Sequence, residues 1–81
     1  MADIIVFTLE NCPRCEQVKN AMLDAGLEFE VMGMDTADGL TELRINQCFA
    51  IEAPVVCFRG DMLEGKDLFV GDQVARFWEE R

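Results

Sequence analysis

Apolar and polar positions change rhythm several times along the chain, and each change marks an element. Ile4–Ile5–Val6–Phe7 is an unbroken β-branched and aromatic run, too short for a helix. It reads as a strand buried on both faces, with Glu10–Asn11 as the loop after it. From Pro13 the apolar positions change to helical spacing: Cys15, Val18 and Met22, flanked by Ala21 and Ala25. Proline is favoured at the first helical position, where its missing N–H has no partner to lose, and Gly26 supplies the stop.

Phe29 and Val31 then alternate with Glu28 and Glu30, and Met32 to Met34 is mostly apolar, which predicts a second strand. The capping candidates of "DTADG" lead into a second helix over Leu40 to Phe49. Val55 to Phe58 is another buried-strand run; Gly60–Asp61 reads as a turn and Met62–Leu63 as a short edge strand. Val70, Val74, Phe77 and Trp78 complete a helical stripe, predicting a last helix that begins at Asp67 as N-cap or, because Gly71 weakens a helix interior, at Asp72. The order is βαβαββα. A helix joins the first two strands, so they pair in parallel, while the hairpin pairs antiparallel. The expected fold is α/β: a four-stranded mixed sheet flanked by three helices.

At 81 residues the chain is expected to form one domain over residues 1–81. No apolar stretch is long enough to span a bilayer, and the start "MADIIVFTLE" lacks the basic residues and long apolar region of a signal peptide. A cytoplasmic location is the expectation. Sixteen acidic residues against seven basic ones give a net charge of −9. Nucleic acid and anionic membranes demand the opposite sign and are excluded as partners. A basic protein surface would be attracted, although a solvated acidic surface needs no partner at all.

Candidate chemistry lies in "NCPRC". Cys12 falls between a strand end and a helix start, where unpaired N–H groups and the positive end of the helix dipole favour a thiolate. Arg14 adds a positive charge nearby, opposed by Glu10 and Glu16. The thiol at the helix start is the exposed one, so Cys12 would attack a substrate disulfide and Cys15, one turn in, would resolve the mixed disulfide. Other readings of the same cysteines stand beside this one: two inert core thiols, a structural disulfide set, or a zinc or iron–sulfur module. Zinc commonly takes two closely spaced ligand pairs, and here only one pair exists, with no histidine. A cluster shared between two chains is chemically open to cysteine ligands. Cys57, inside an apolar strand, and Cys48, near the end of the second helix, read as core thiols. Arg59–Gly60–Asp61 spells an adhesion tripeptide but reads as hairpin turn.

A strand, then "CPRC" opening a helix, then "APVV" and "LEGKD" resembles the glutaredoxin branch of the thioredoxin fold over essentially the whole chain. The resemblance implies a thiol–disulfide oxidoreductase and electron carrier with no bound cofactor and no metal. Its substrates would be protein disulfides or glutathione mixed disulfides. Cys12 and Cys15 would be the catalytic pair. Ala53–Pro54 matches the family's cis-proline, with the Ala53 backbone meeting a bound peptide or glutathione. Gly65, Lys66 and Asp67 match the glycine–x–acid stretch that holds a glutathione carboxylate at a helix start. Arg14 and Lys66 would be the positive charges nearest an anionic substrate. Two positions depart from the family: Leu9 stands where a lysine or arginine is usual, and Leu68 where a second acid is common. A rival placement of the acidic stretch at Gly71–Asp72–Gln73 needs a longer loop. Leu9 and "PVV" are similar to the small glutaredoxin-like redoxins that are recharged by a thioredoxin reductase and donate electrons to ribonucleotide reductase. Glutathione and a thioredoxin reductase are therefore the two electron donors in contention.

Overall fold

A computed structural model describes residues 4–48 and 52–79. Strand β1 (Ile4–Thr8) is followed by helix α1 (Pro13–Asp24), strand β2 (Glu30–Gly33) and helix α2 (Ala37–Ile45). Strands β3 (Val55–Phe58) and β4 (Asp61–Leu63) precede a one-turn helix α3 (Gly65–Leu68), and β5 (Phe69–Val70) and β6 (Gln73–Val74) form a small hairpin before a 3-10 turn at Phe77–Glu79. The main sheet has the order β2-β1-β3-β4. β1 and β2 run parallel; β1–β3 and β3–β4 run antiparallel. The expected four-stranded mixed sheet is observed, and three helices accompany it, the third being only the single turn of α3.

Why β1 and β3 carry apolar residues without alternation is clear from the two sides of the sheet. Ile4 pairs with Phe58 and Val6 with Val56. These four join Val18 and Met22 of α1, with Leu63, Leu68 and Phe77, in one buried cluster. The intervening residues Phe7, Val55 and Cys57 point the other way and pack with Met34, Leu43 and Cys48. Successive strand residues face opposite sides, so a strand covered on both sides has no polar positions to spare.

Both long helices end in the same way. After α1, Gly26 takes φ +77°, its N–H donates to the Leu23 carbonyl, and the Leu27 N–H donates to the Met22 carbonyl. After α2, Gln47 adopts φ +59°, its N–H donates to Arg44 and the Cys48 N–H donates to Leu43. This is the Schellman arrangement, in which the residue after the left-handed one packs back on the helix. It explains the burial of Cys48 against Leu43. The expected second helix thus starts earlier than Leu40, with Thr36 as N-cap accepting from the Gly39 N–H at 3.0 Å, and ends at Ile45. Phe49 lies outside the described residues.

Two expectations need correction. The β3–β4 turn is Arg59–Gly60, both at positive φ, rather than Gly60–Asp61, since Phe58 pairs directly with Asp61. More consequentially, the last helix starting at Asp67 or Asp72 is absent. α3 stops at Leu68, and Phe69 is already extended at φ −127°, ψ 143°. Val70 pairs with Gln73 around Gly71–Asp72, with Gly71 at φ +63°. Glycine at the first central position of a two-residue loop suits a hairpin whose turn matches the strand twist. The Ala75 N–H donating to the Leu68 carbonyl at 2.7 Å closes the segment. Of the predicted helical stripe, Phe77 is buried and Val74 and Trp78 pack against the first cluster, but Val70 is 72% exposed. Nor is Asp67 an N-cap: Glu64 holds that place, and the Asp67 carboxylate accepts from the Glu64 N–H at 3.2 Å.

Candidate active site

Where β1 gives way to α1, the chain turns through Asn11 at φ +55° and presents Cys12 as the N-cap of the helix. The Cys12 sulfur accepts a hydrogen bond from the Cys15 N–H at 3.1 Å. A capping residue normally uses oxygen for this purpose, to satisfy one of the helix's unpaired donors; here a sulfur does it. Pro13 occupies the first helical position, where it forfeits no hydrogen bond. One turn on, Cys15 is 1% exposed, whereas Cys12 is half-buried at the surface. The two sulfurs are joined as a disulfide, with Cα atoms 5.2 Å apart.

Cys12 opens on a groove of about 670 Å³ lined by Leu9, Glu10, Asn11, Pro13, Arg14, Glu52 and Ala53. Two distant segments build it. The β1–α1 loop supplies one part, and the stretch leading into β3 supplies Glu52 and Ala53. The Ala53–Pro54 peptide is cis and Pro54 is fully buried at the mouth of β3. Strand pairing of β1 with β3 is what brings these segments side by side, because Phe7 pairs with Val55.

Of the residues expected at the site, Cys12, Arg14 and Ala53 share this groove, with Cys15 bonded beneath and Pro54 next to Ala53. Gly65, Lys66 and Asp67 do not line it. They form the single turn of α3, with the Asp67 carboxylate turned back on its own helix start. Arg14 is linked to that region indirectly: its guanidinium lies over the ring of Phe69, 5.1 Å from the centroid. Sequence reasoning missed Phe69 and Glu52. Glu52 could have been found from its position just before Ala53–Pro54. Phe69 carried no signal, since its role depends on the hairpin folding back towards α1.

Leu9 contributes an apolar wall to the groove and packs against the second buried cluster. Among the described residues no group of three or more Cys, His, Asp or Glu side chains is placed to hold a metal ion, and Cys48 and Cys57 are free, buried thiols on the far side of the sheet's core. No described helix is long and apolar enough to cross a membrane.

No protein-family model and no curated protein matches the chain. Solved structures do. The glutaredoxin-like NrdH-redoxin of Escherichia coli, characterised by a thioredoxin-like activity profile, superposes with a TM-score of 0.62 at 29% identity, over 76% of this chain and 80% of that one. A glutaredoxin of Archaeoglobus fulgidus superposes with a TM-score of 0.59 over 99% of this chain and 83% of that one, at 18% identity, which speaks for the fold alone. With its disulfide-forming cysteine pair capping the helix that follows the first strand, the chain has the glutaredoxin-like thioredoxin fold of these structures, and the pair supports a thiol–disulfide redox role.

Proposed function

We propose that the protein is a dithiol reductant of protein disulfides, with Cys12 as the nucleophile and Cys15 as the resolving thiol. One observation carries the reading: Cys12 is the accessible N-cap of α1, with an N–H already aimed at its sulfur, while Cys15 is buried behind it. In the reduced protein the same N–H and the helix dipole stabilise a Cys12 thiolate. The thiolate attacks one sulfur of the substrate disulfide. A mixed disulfide forms and the other substrate sulfur leaves as a thiolate that takes up a proton. Cys15 then gives up its proton and attacks the Cys12 sulfur. This releases the second substrate thiol and forms the Cys12–Cys15 disulfide. Two electrons pass from the protein to the substrate, and a dithiol or two monothiols must return them. The setting that suits such a cycle is the reducing cytoplasm.

A second observation bears on the donor. The groove has an apolar wall at Leu9 and two carboxylates, Glu10 and Glu52, beside Cys12. Gly65, Lys66 and Asp67, which would hold a glutathione carboxylate, lie outside it. This favours recharging by a thioredoxin reductase over glutathione, and a role such as electron supply to ribonucleotide reductase.

The test follows NADPH consumption with a protein disulfide substrate, coupled in turn to glutathione plus glutathione reductase and to thioredoxin reductase. Turnover in the second coupling at many times the rate of the first is expected. The reverse order would overturn the donor assignment. Cys12→Ser should abolish turnover in both. Cys15→Ser should stall at the mixed disulfide, visible as an adduct by mass spectrometry, and a Cys12→Ser protein that kept its activity would refute the mechanism.

A further inference from the structure

The groove beside Cys12 has a charge arrangement that disulfide exchange does not itself require. Glu10 and Glu52 reach it from two different segments, and both are exposed. Neither has an ion-pair partner among the described residues. The groove's positive charge belongs to Arg14, whose guanidinium is drawn onto the face of Phe69, a contact in which the ring's electron density answers the charge. The remaining wall is apolar: Leu9, Pro13 and Ala53.

We propose that this groove selects protein disulfides flanked by basic and apolar side chains, with Glu10 and Glu52 reading the positive charge. The proposal rests on the disulfide-exchange reading of Cys12. Carboxylates at a concave site with low-dielectric walls focus their field into it, and so raise the local concentration of a cationic partner. The chain's net charge of −9 acts in the same direction at longer range and speeds the encounter. An anionic partner meets repulsion at both scales. Apolar side chains next to the cysteine of the partner would cover Leu9, Pro13 and Ala53.

Three disulfide-bridged peptides of equal length and apolar content, flanked by lysine, glutamine or glutamate, test this on the intact protein. At low ionic strength kcat/KM should fall in the order lysine, glutamine, glutamate. A spread of about tenfold between the ends corresponds to about 1.4 kcal/mol. The spread should shrink at about 0.5 M salt, where the screening length drops below the size of the groove. It should also shrink in the E10Q/E52Q double variant. It should persist in E28Q/D38N, which changes the net charge equally but away from the groove. Equal kcat/KM for the lysine and glutamate peptides, with normal turnover of the glutamine peptide, would overturn the selectivity and leave the exchange chemistry standing. No turnover of any of the three would instead overturn the exchange reading. An unchanged preference in E10Q/E52Q, or an equal loss in E28Q/D38N, would remove Glu10 and Glu52 from the role.

Discussion

Leu9 is the residue on which the character of the site turns. It sits three positions before Cys12, with one side on the second buried cluster and another on the groove. A leucine there leaves the groove without a positive charge at this position and adds packing to the second buried cluster. Leu9→Lys is expected to reverse both effects. The lysine stem can lie along the apolar wall while its ammonium reaches solvent, so the stability loss should be small, about 1 kcal/mol. Turnover of a glutathione mixed disulfide should rise several-fold relative to a neutral small disulfide, measured as a ratio of kcat/KM. A ratio unmoved by the substitution would mean that charge at this position does not govern the donor. Cys12 shows a different kind of legibility. Its place at a strand end and before Pro13 was readable from the sequence, and its hydrogen bond from the Cys15 N–H is the local consequence of that placement. The half-burial of Leu9 was not readable, because the second buried cluster it packs against is assembled from β1, β3 and α2 only in the folded chain.

Several elements built from local signals form where their sequence patterns place them, and the largest departure has an identifiable cause. α1 begins at Pro13 and stops before Gly26 as its pattern requires, and β3 occupies Val55–Phe58 as expected. The C-terminal stripe of Val70, Val74, Phe77 and Trp78 has helical spacing, yet a hairpin and a 3-10 turn form instead. Gly71–Asp72 is itself a hairpin dipeptide, and a glycine inside a helix costs about 1 kcal/mol relative to alanine. The stripe outweighed that signal only on paper. Gly71→Ala distinguishes the two structures by sign. In a helix the change would stabilise by about 1 kcal/mol; at φ +63° it should destabilise by about 1 kcal/mol, since alanine resists that conformation. A Cβ at Gly71 would meet nothing within 4 Å, so the backbone alone decides the outcome. Urea unfolding of the variant and parent measures it. Loss of stability without a change in the slope against denaturant is the expected result.

At the scale of the whole molecule, charge is the dominant feature. Self-repulsion from a net charge of −9 opposes compaction, and the ion pairs Lys19–Glu16 and Arg76–Glu79 lie at the surface. Three of the four side chains are exposed and Lys19 is half-buried, so these pairs contribute little. Raising sodium chloride from about 0.02 M to about 0.3 M should therefore raise the Tm, because screening weakens the repulsion more than it weakens those pairs. A Tm that falls over this range would show that attractive pairs dominate the surface. The sequence by itself determined the four strands of the main sheet, the first helix and the presence of the second, the parallel pairing of β1 with β2, the antiparallel hairpin of β3 with β4 and the position of the cysteine pair, because each rests on periodicity, capping or connection length within a few residues. Tertiary structure alone decided the rest. Pairing of β1 with β3 brought Ala53 and Glu52 beside Cys12, and the β5–β6 hairpin carried Phe69 to Arg14 while Gly65–Asp67 stayed outside the groove. Those contacts join residues far apart in the chain, and no local pattern records which distant surface a side chain will meet.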